Sequence, residues 1–148
     1  MTQHVFTMDL AWANGRNGTG TIQAANLQTQ ISIPREMNGP GIGTNPDEML
    51  LGAAATCYLI TLAALLENAQ MAVQQLTMTS QGIVDVTNGI FTYKEIIHQP
   101  VVVIANLSEH EYKRIQRFVE KAEQTCMISK ALKGNVMITC KATIQNME

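Results

Sequence analysis

The stretch NPDEMLLGAAATCYLITLAALLE, residues 45–67, decides how this chain folds. Asn45 fits a helix N-cap, Pro46 the first helical position, and Glu48 the place where a capping box wants a carboxylate. Asp47 and Glu48 also set negative charge on the positive end of the helix macrodipole. Beyond them the segment is apolar nearly all round as far as Glu67. The expectation is a helix of about 24 residues, about 36 Å long, buried on most faces. One small domain can hardly enclose such a rod alone.

Upstream, Pro34–Gly43 reads as a loop of glycines and prolines. Thr2 to Trp12 alternates in part, with His4, Phe6, Met8, Leu10 and Trp12 on one face, and reads as a strand. Asn14–Gly18 is a turn, since Asn and Gly accept positive φ cheaply. Thr19–Ala25 and Leu27–Ile33 follow as two strands around a bend at Asn26, completing an antiparallel meander. Downstream, Val73–Val86 and Gly89–Ile104 are long β runs joined at Asn88-Gly89, a strong hairpin signal. Ser108-Glu109-His110-Glu111 is a capping box that opens a second helix ending near Thr125, with Ile115, Phe118, Val119 and Ala122 as its apolar stripe. Cys126–Leu132 reads as a short third helix stopped by Gly134, and Asn135–Ile144 as a final alternating strand. The order βββ-α-ββ-α-(α)-β gives an α+β class: antiparallel sheets packed around a long buried central helix, as a single domain over 1–148.

Composition narrows the function. In 148 residues (16.2 kDa), apolar types make up 46% and charged types 15%, which excludes a disordered chain. Ten Lys and Arg against 12 Asp and Glu leave a net charge of −2, without the basic excess of a nucleic-acid binder. No apolar run is expected to reach the roughly 18 residues of a membrane span. The opening Met1–Leu10 lacks a basic region followed by an apolar one, so the expectation is no signal peptide and a reducing cytoplasm. There, Cys57, Cys126 and Cys140 are poor candidates for structural staples, and they lack zinc-site spacing. Low charge and nine methionines point to apolar surface that a partner subunit covers.

Among residues able to carry chemistry, Cys57 lies mid-helix, where apolar burial raises a thiol pKa and makes it inert unless a fixed cation stands beside it. Cys126 lies between two helices, where free N–H groups favour a thiolate. Cys140 falls on the inward face of a strand and reads as core. Arg16 in its Gly/Asn turn, Arg35 and Glu36 in the loop, and Asp47 at the helix start all have plain readings as solvated charges. His4, His98 and His110 are scattered, with no metal spacing.

Residues Thr44-Asn45-Pro46-Asp47-Glu48 and on to Ala55-Thr56-Cys57 resemble the hallmark of the OsmC/Ohr family, osmotically inducible and organic hydroperoxide resistance proteins. That family carries an Asn-Pro-Glu helix start and a cysteine at this spacing. Thr125-Cys126-Met127-Ile128-Ser129 is similar to its second-cysteine stretch, Cys-Pro-x-Ser. Gly15-Arg16-Asn17-Gly18 resembles the Gly-Arg-Asp-Gly turn of the hydroperoxide branch, and Pro34-Arg35-Glu36 has a counterpart there. The likeness runs in order along almost the whole chain.

The resemblance implies thiol-dependent reduction of organic hydroperoxides by an intertwined homodimer. It makes Cys57 the peroxidatic thiol, Cys126 the resolving thiol and Arg16 the guanidinium that holds the thiolate. Asp47 stands where the branch has a glutamate that positions the arginine. Arg35 competes with Arg16, because in the other branch the arginine arrives from the loop before the helix, and Glu48 competes with Asp47. No bound cofactor or metal is implied; an external dithiol of lipoyl or thioredoxin type is the expected reductant. Asp47 and Cys57 are about 15 Å apart along a straight helix, so a carboxylate sharing one arginine with Cys57 would come from the partner chain. Two departures, Asp47 for Glu and Met127 for Pro, motivate a competing reading as a diverged redox sensor or small-ligand binder. A hot-dog-like thioesterase also wraps a sheet around a long helix, but it needs a carboxylate or Asn where this helix has Ala-Thr-Cys-Tyr.

Overall fold

A computed structural model describes residues 1–147. The chain falls into two compact units, Met1–Met49 and Leu50 onward. The first unit is a three-stranded antiparallel meander of β1 (Asp9–Ala13), β2 (Thr19–Gln23) and β3 (Gln28–Ile31). The β1–β2 turn uses positive φ at Asn14 (71°) and Gly15 (66°), as their types predict. A strand from Thr2 is not formed: β1 starts at Asp9. Its partner β2 ends opposite Asp9 at Gln23, where the chain turns through Ala24 and Leu27, so residues 2–8 have no ladder to join. After β3 come a 3-10 turn, Arg35–Met37, and a loop that brings Thr44 back beside Ile31.

Helix α1 spans Pro46–Asn68. Asn45 caps it as expected, its Oδ1 accepting from the Glu48 amide at 2.9 Å. The Glu48 carboxylate accepts from the Thr44 hydroxyl (2.8 Å) rather than from the cap residue's own amide. Within the single chain this helix is covered along one row only, and its apolar length corrects one expectation. Only one stripe, Ala54, Tyr58, Leu62 and Leu66, is buried, because i, i+4 spacing sets one row of side chains against the core of a single chain. Ile60 on another face stays 64% exposed. The helix is also long and apolar enough to cross a membrane by length and composition, since Met49–Leu66 carries no charge and its alanines extend the apolar run.

In the second unit β4 (Val73–Thr87) and β5 (Ile90–Ile104) form the expected hairpin, turning on Asn88 and Gly89 at φ 53° and 74°. The Ser108 side chain caps α2 (Glu109–Thr125), accepting from the Glu111 amide. A short α3 (Met127–Leu132) follows directly. The last strand is not one run but two, β6 (Met137–Cys140) and β7 (Thr143–Asn146), both parallel to β5. The break has a specific cause. Lys141 N–H donates to His98 O at 2.8 Å, and the next rung of a parallel ladder would need an N–H at position 100, where proline has none.

The core joins Tyr58, Leu62 and Leu66 of α1 to Val102 and Ile104 of β5 and to Ile115, Val119 and Ala122 of α2. A smaller cluster sets Ala54 against Ile96 and Val136, flanked by Ile128 and Leu132 of α3. Together they dock the middle of α1 against the segment where α2 gives way to α3.

Candidate active site

Cys57 sits mid-way along α1 and is half-buried. One turn on, the Thr61 hydroxyl donates to the Cys57 carbonyl (2.7 Å) and also touches the Cys57 sulfur. Cys126 is the residue between α2 and α3, extended at φ −61°, ψ 125°, and fully buried. Its amide closes α2 on Ala122 O (2.9 Å), and its carbonyl accepts from Lys130 N–H (3.0 Å) to open α3. Backbone bonds on both sides therefore fix where its side chain points.

The two sulfurs meet: the Cys57 and Cys126 side chains are hydrogen-bonded to each other, both as free thiols. Burial pushes the Cys57 thiol up. The Cys126 side chain, the Ile128 and Met127 amides and the Thr61 hydroxyl outweigh it, leaving Cys57 below the ordinary thiol value. Cys126 moves the other way, raised by burial and by its bond to Cys57 against help from Ser129. The expectations from position alone are thus corrected in both directions. Free amides at the α2–α3 junction do favour a thiolate, but they are shared: Met127 and Ile128 act on Cys57, while Ile128 and Ser129 act on Cys126 without outweighing its burial. The surroundings favour negative charge on Cys57 over Cys126, so in this pair Cys126 is placed to donate. Such a pair can form a disulfide without metal or cofactor, one sulfur attacking an oxidant and the other displacing the product.

The ionic candidates lie in the first unit. Arg16 donates to Met37 O (2.8 Å), Asn38 O (3.4 Å) and Asn17 Oδ1 (3.0 Å), pinning the end of the 3-10 turn. The stem of Arg35 lies over Gly41, whose φ of +66° and lack of a Cβ admit it. Asp47 and Glu48 occupy the first turn of α1. Within the second unit the structure brings together Cys57, Cys126, Thr61 and Ser129. Thr61 escaped the sequence reading and Ser129 entered it only as the serine of the Cys-Pro-x-Ser likeness, without a role, although i+4 from one cysteine and i+3 from the other are spacings that share a helix face.

Cys140 belongs to a separate cluster. Its thiol touches the Tyr58 hydroxyl, and burial, opposed by that bond, pushes it up to about 11. Tyr58 donates to Val119 O (3.0 Å) and stacks on His98 with ring centroids 4.8 Å apart. His98 shares a 2.7 Å bond between Nδ1 and the Ser80 hydroxyl, and burial holds its pKa down. Among the described residues no three His, Cys, Asp or Glu side chains gather as metal ligands.

The chain matches the family model for OsmC-like protein over residues 39–141. It is 51% identical over 146 residues to the uncharacterized protein YmaD of Bacillus subtilis (strain 168), covering 98% of this chain and 97% of that one. It is 26% identical over 139 residues to the organic hydroperoxide resistance protein of Xanthomonas axonopodis pv. citri, covering 91% and 92%. Among solved structures, an organic hydroperoxide resistance protein OsmC from Legionella pneumophila superposes with a TM-score of 0.73 at 22% identity, covering 95% of this chain and 99% of that one.

Proposed function

The chain belongs to the OsmC-like family, and we propose that it is a thiol-dependent peroxidase reducing alkyl or lipid hydroperoxides to alcohols. The observation that carries this reading is the bonded Cys57–Cys126 pair, with Cys57 the more acidic sulfur. The Cys57 thiolate attacks the distal peroxide oxygen, the O–O bond breaks, and the alkoxide leaves and is protonated to the alcohol. Cys57 is now a sulfenic acid. The Cys126 sulfur attacks the Cys57 sulfur, expelling water and closing a disulfide, which a dithiol of lipoyl or thioredoxin type then reduces. The names of the Xanthomonas and Staphylococcus epidermidis relatives support the substrate class.

In the same reading Arg16 orients the peroxide against the thiolate with Asp47 as its carboxylate, and Arg35 and Glu48 are the substitutes. A cation there adds to the donors already bonded to Cys57. The working unit is a homodimer in a reducing cytoplasm. Its support is the exposed face of α1, where Gly52, Ala53, Ala63 and Ala64 beside Ile60 would let a second helix approach closely. Analytical ultracentrifugation finding an active, stable monomer would refute the dimer.

The deciding experiment is stopped-flow oxidation of the reduced protein by cumene hydroperoxide. Cys57 oxidation faster than that of free cysteine at the same pH is expected. Cys126→Ser should accumulate the sulfenate, and Cys57→Ser should form none. Oxidation no faster than the free thiol would leave a redox-sensing or ligand-binding family member instead.

A further inference from the structure

Ser129 lies one helical turn after Cys126 and is 3% exposed. Its hydroxyl oxygen is buried and has no hydrogen-bond partner among the described residues. Three residues along the chain from Cys126, its side chain and amide both act on the Cys126 sulfur in the sense that stabilises negative charge there. A neutral thiol is a weak acceptor, so this contact is loose while Cys126 keeps its proton. A buried hydroxyl left unsatisfied costs about 1–3 kcal/mol and asks for a state in which it is satisfied.

We propose that Ser129 is a positioning residue for the reductive half of the cycle, donating to Cys126 when that sulfur leaves as a thiolate. The step rests on the disulfide chemistry proposed above. Cys57 is the half-buried sulfur and Cys126 the fully buried one, so an incoming dithiol reaches Cys57. Its thiolate attacks the Cys57 sulfur, the Cys57–Cys126 bond breaks, and the electron pair goes to Cys126. The second thiol of the reductant, deprotonated, then closes the reductant's own disulfide and releases the Cys57 thiolate. Two protons from the reductant end on the protein thiols. Through the first displacement the Ser129 hydroxyl keeps its own proton and bonds to the sulfur that has just become an anion. Stabilising a leaving thiolate speeds thiol–disulfide exchange.

The test uses the full chain, oxidised with diamide so that no peroxide activity is needed, and dithiothreitol as reductant. Ser129→Ala should reduce about tenfold more slowly than the wild type, the order expected for one hydrogen bond to a charged group. In a Cys57→Ser background it should raise the pH midpoint of Cys126 alkylation, located by mass spectrometry, by about one unit. Ser129→Thr, which keeps the hydroxyl, should restore both. Oxidation of Cys57 by cumene hydroperoxide should stay within about twofold, because no step of that half-reaction has Cys126 as leaving group. The proposal is overturned if Ser129→Ala reduces at the wild-type rate. It is equally overturned if both half-reactions slow in parallel, which marks loosened packing, or if diamide fails to link Cys57 to Cys126. Loss of peroxide reactivity with normal diamide chemistry would instead count against the peroxidase reading alone.

Discussion

Cys57 and Tyr58 are neighbours on α1, yet they enter polar clusters of opposite character. Around Cys57, two amides, a thiol and a hydroxyl converge on one sulfur and outweigh the burial that opposes its charge. Around Tyr58, the phenol and the Cys140 thiol lean on each other, and His98 stacks alongside bonded to Ser80. There burial wins: Cys140 rises to about 11, the Tyr58 phenol is raised, and His98 is lowered. Thiols of one protein thus differ in acidity through the balance between burial and the donors aimed at each sulfur.

That contrast can be broken most sharply by exchanging the cysteines' fates. Cys57→Ser should lower peroxide turnover by at least about 10³-fold, whereas Cys140→Ala should stay within about twofold, both read with cumene hydroperoxide and a dithiol donor. A comparable loss in Cys140→Ala would merge the two clusters into one site. Tyr58→Phe should next cost about 1–3 kcal/mol in urea unfolding, because the Val119 carbonyl loses its partner, while Cys57 alkylation stays unchanged. Removing a donor from the other cluster should do the reverse. Cys126→Ala is expected to raise the alkylation midpoint of Cys57 by about one pH unit with little change in stability. The smallest effect belongs to His98. Its folded pKa lies below its unfolded value, so the unfolded chain binds the extra proton and stability falls as pH drops through about 6.5. Between pH 7 and 5.5 the loss should be about 1 kcal/mol, and His98→Gln should flatten it.

What is legible in the sequence is what local chemistry decides. Asn45-Pro46 starts α1, Ser108 starts α2, and Asn88-Gly89 turns the hairpin, because each needs only its immediate neighbours. The pairing of Cys57 with Cys126 came through the likeness to a family, since 69 positions of chain separate them. Less legible is whatever depends on a strand or sulfur elsewhere. β1 starts late because β2 runs out, and the amides of Met127 and Ile128 reach Cys57 only because α3 docks beside α1. The single buried stripe of α1 is a third case. The residues are apolar all round, and nothing in their order says which row one chain covers by itself.

Pro100 carries a consequence beyond the ladder it interrupts. By splitting the outer strand it leaves two four-residue segments, β6 and β7, along that margin of the sheet. Long uninterrupted margins are templates for runaway strand addition between molecules, and short ones recruit poorly. A single imino acid thereby keeps that margin short, and its replacement by valine would lengthen it by one more rung.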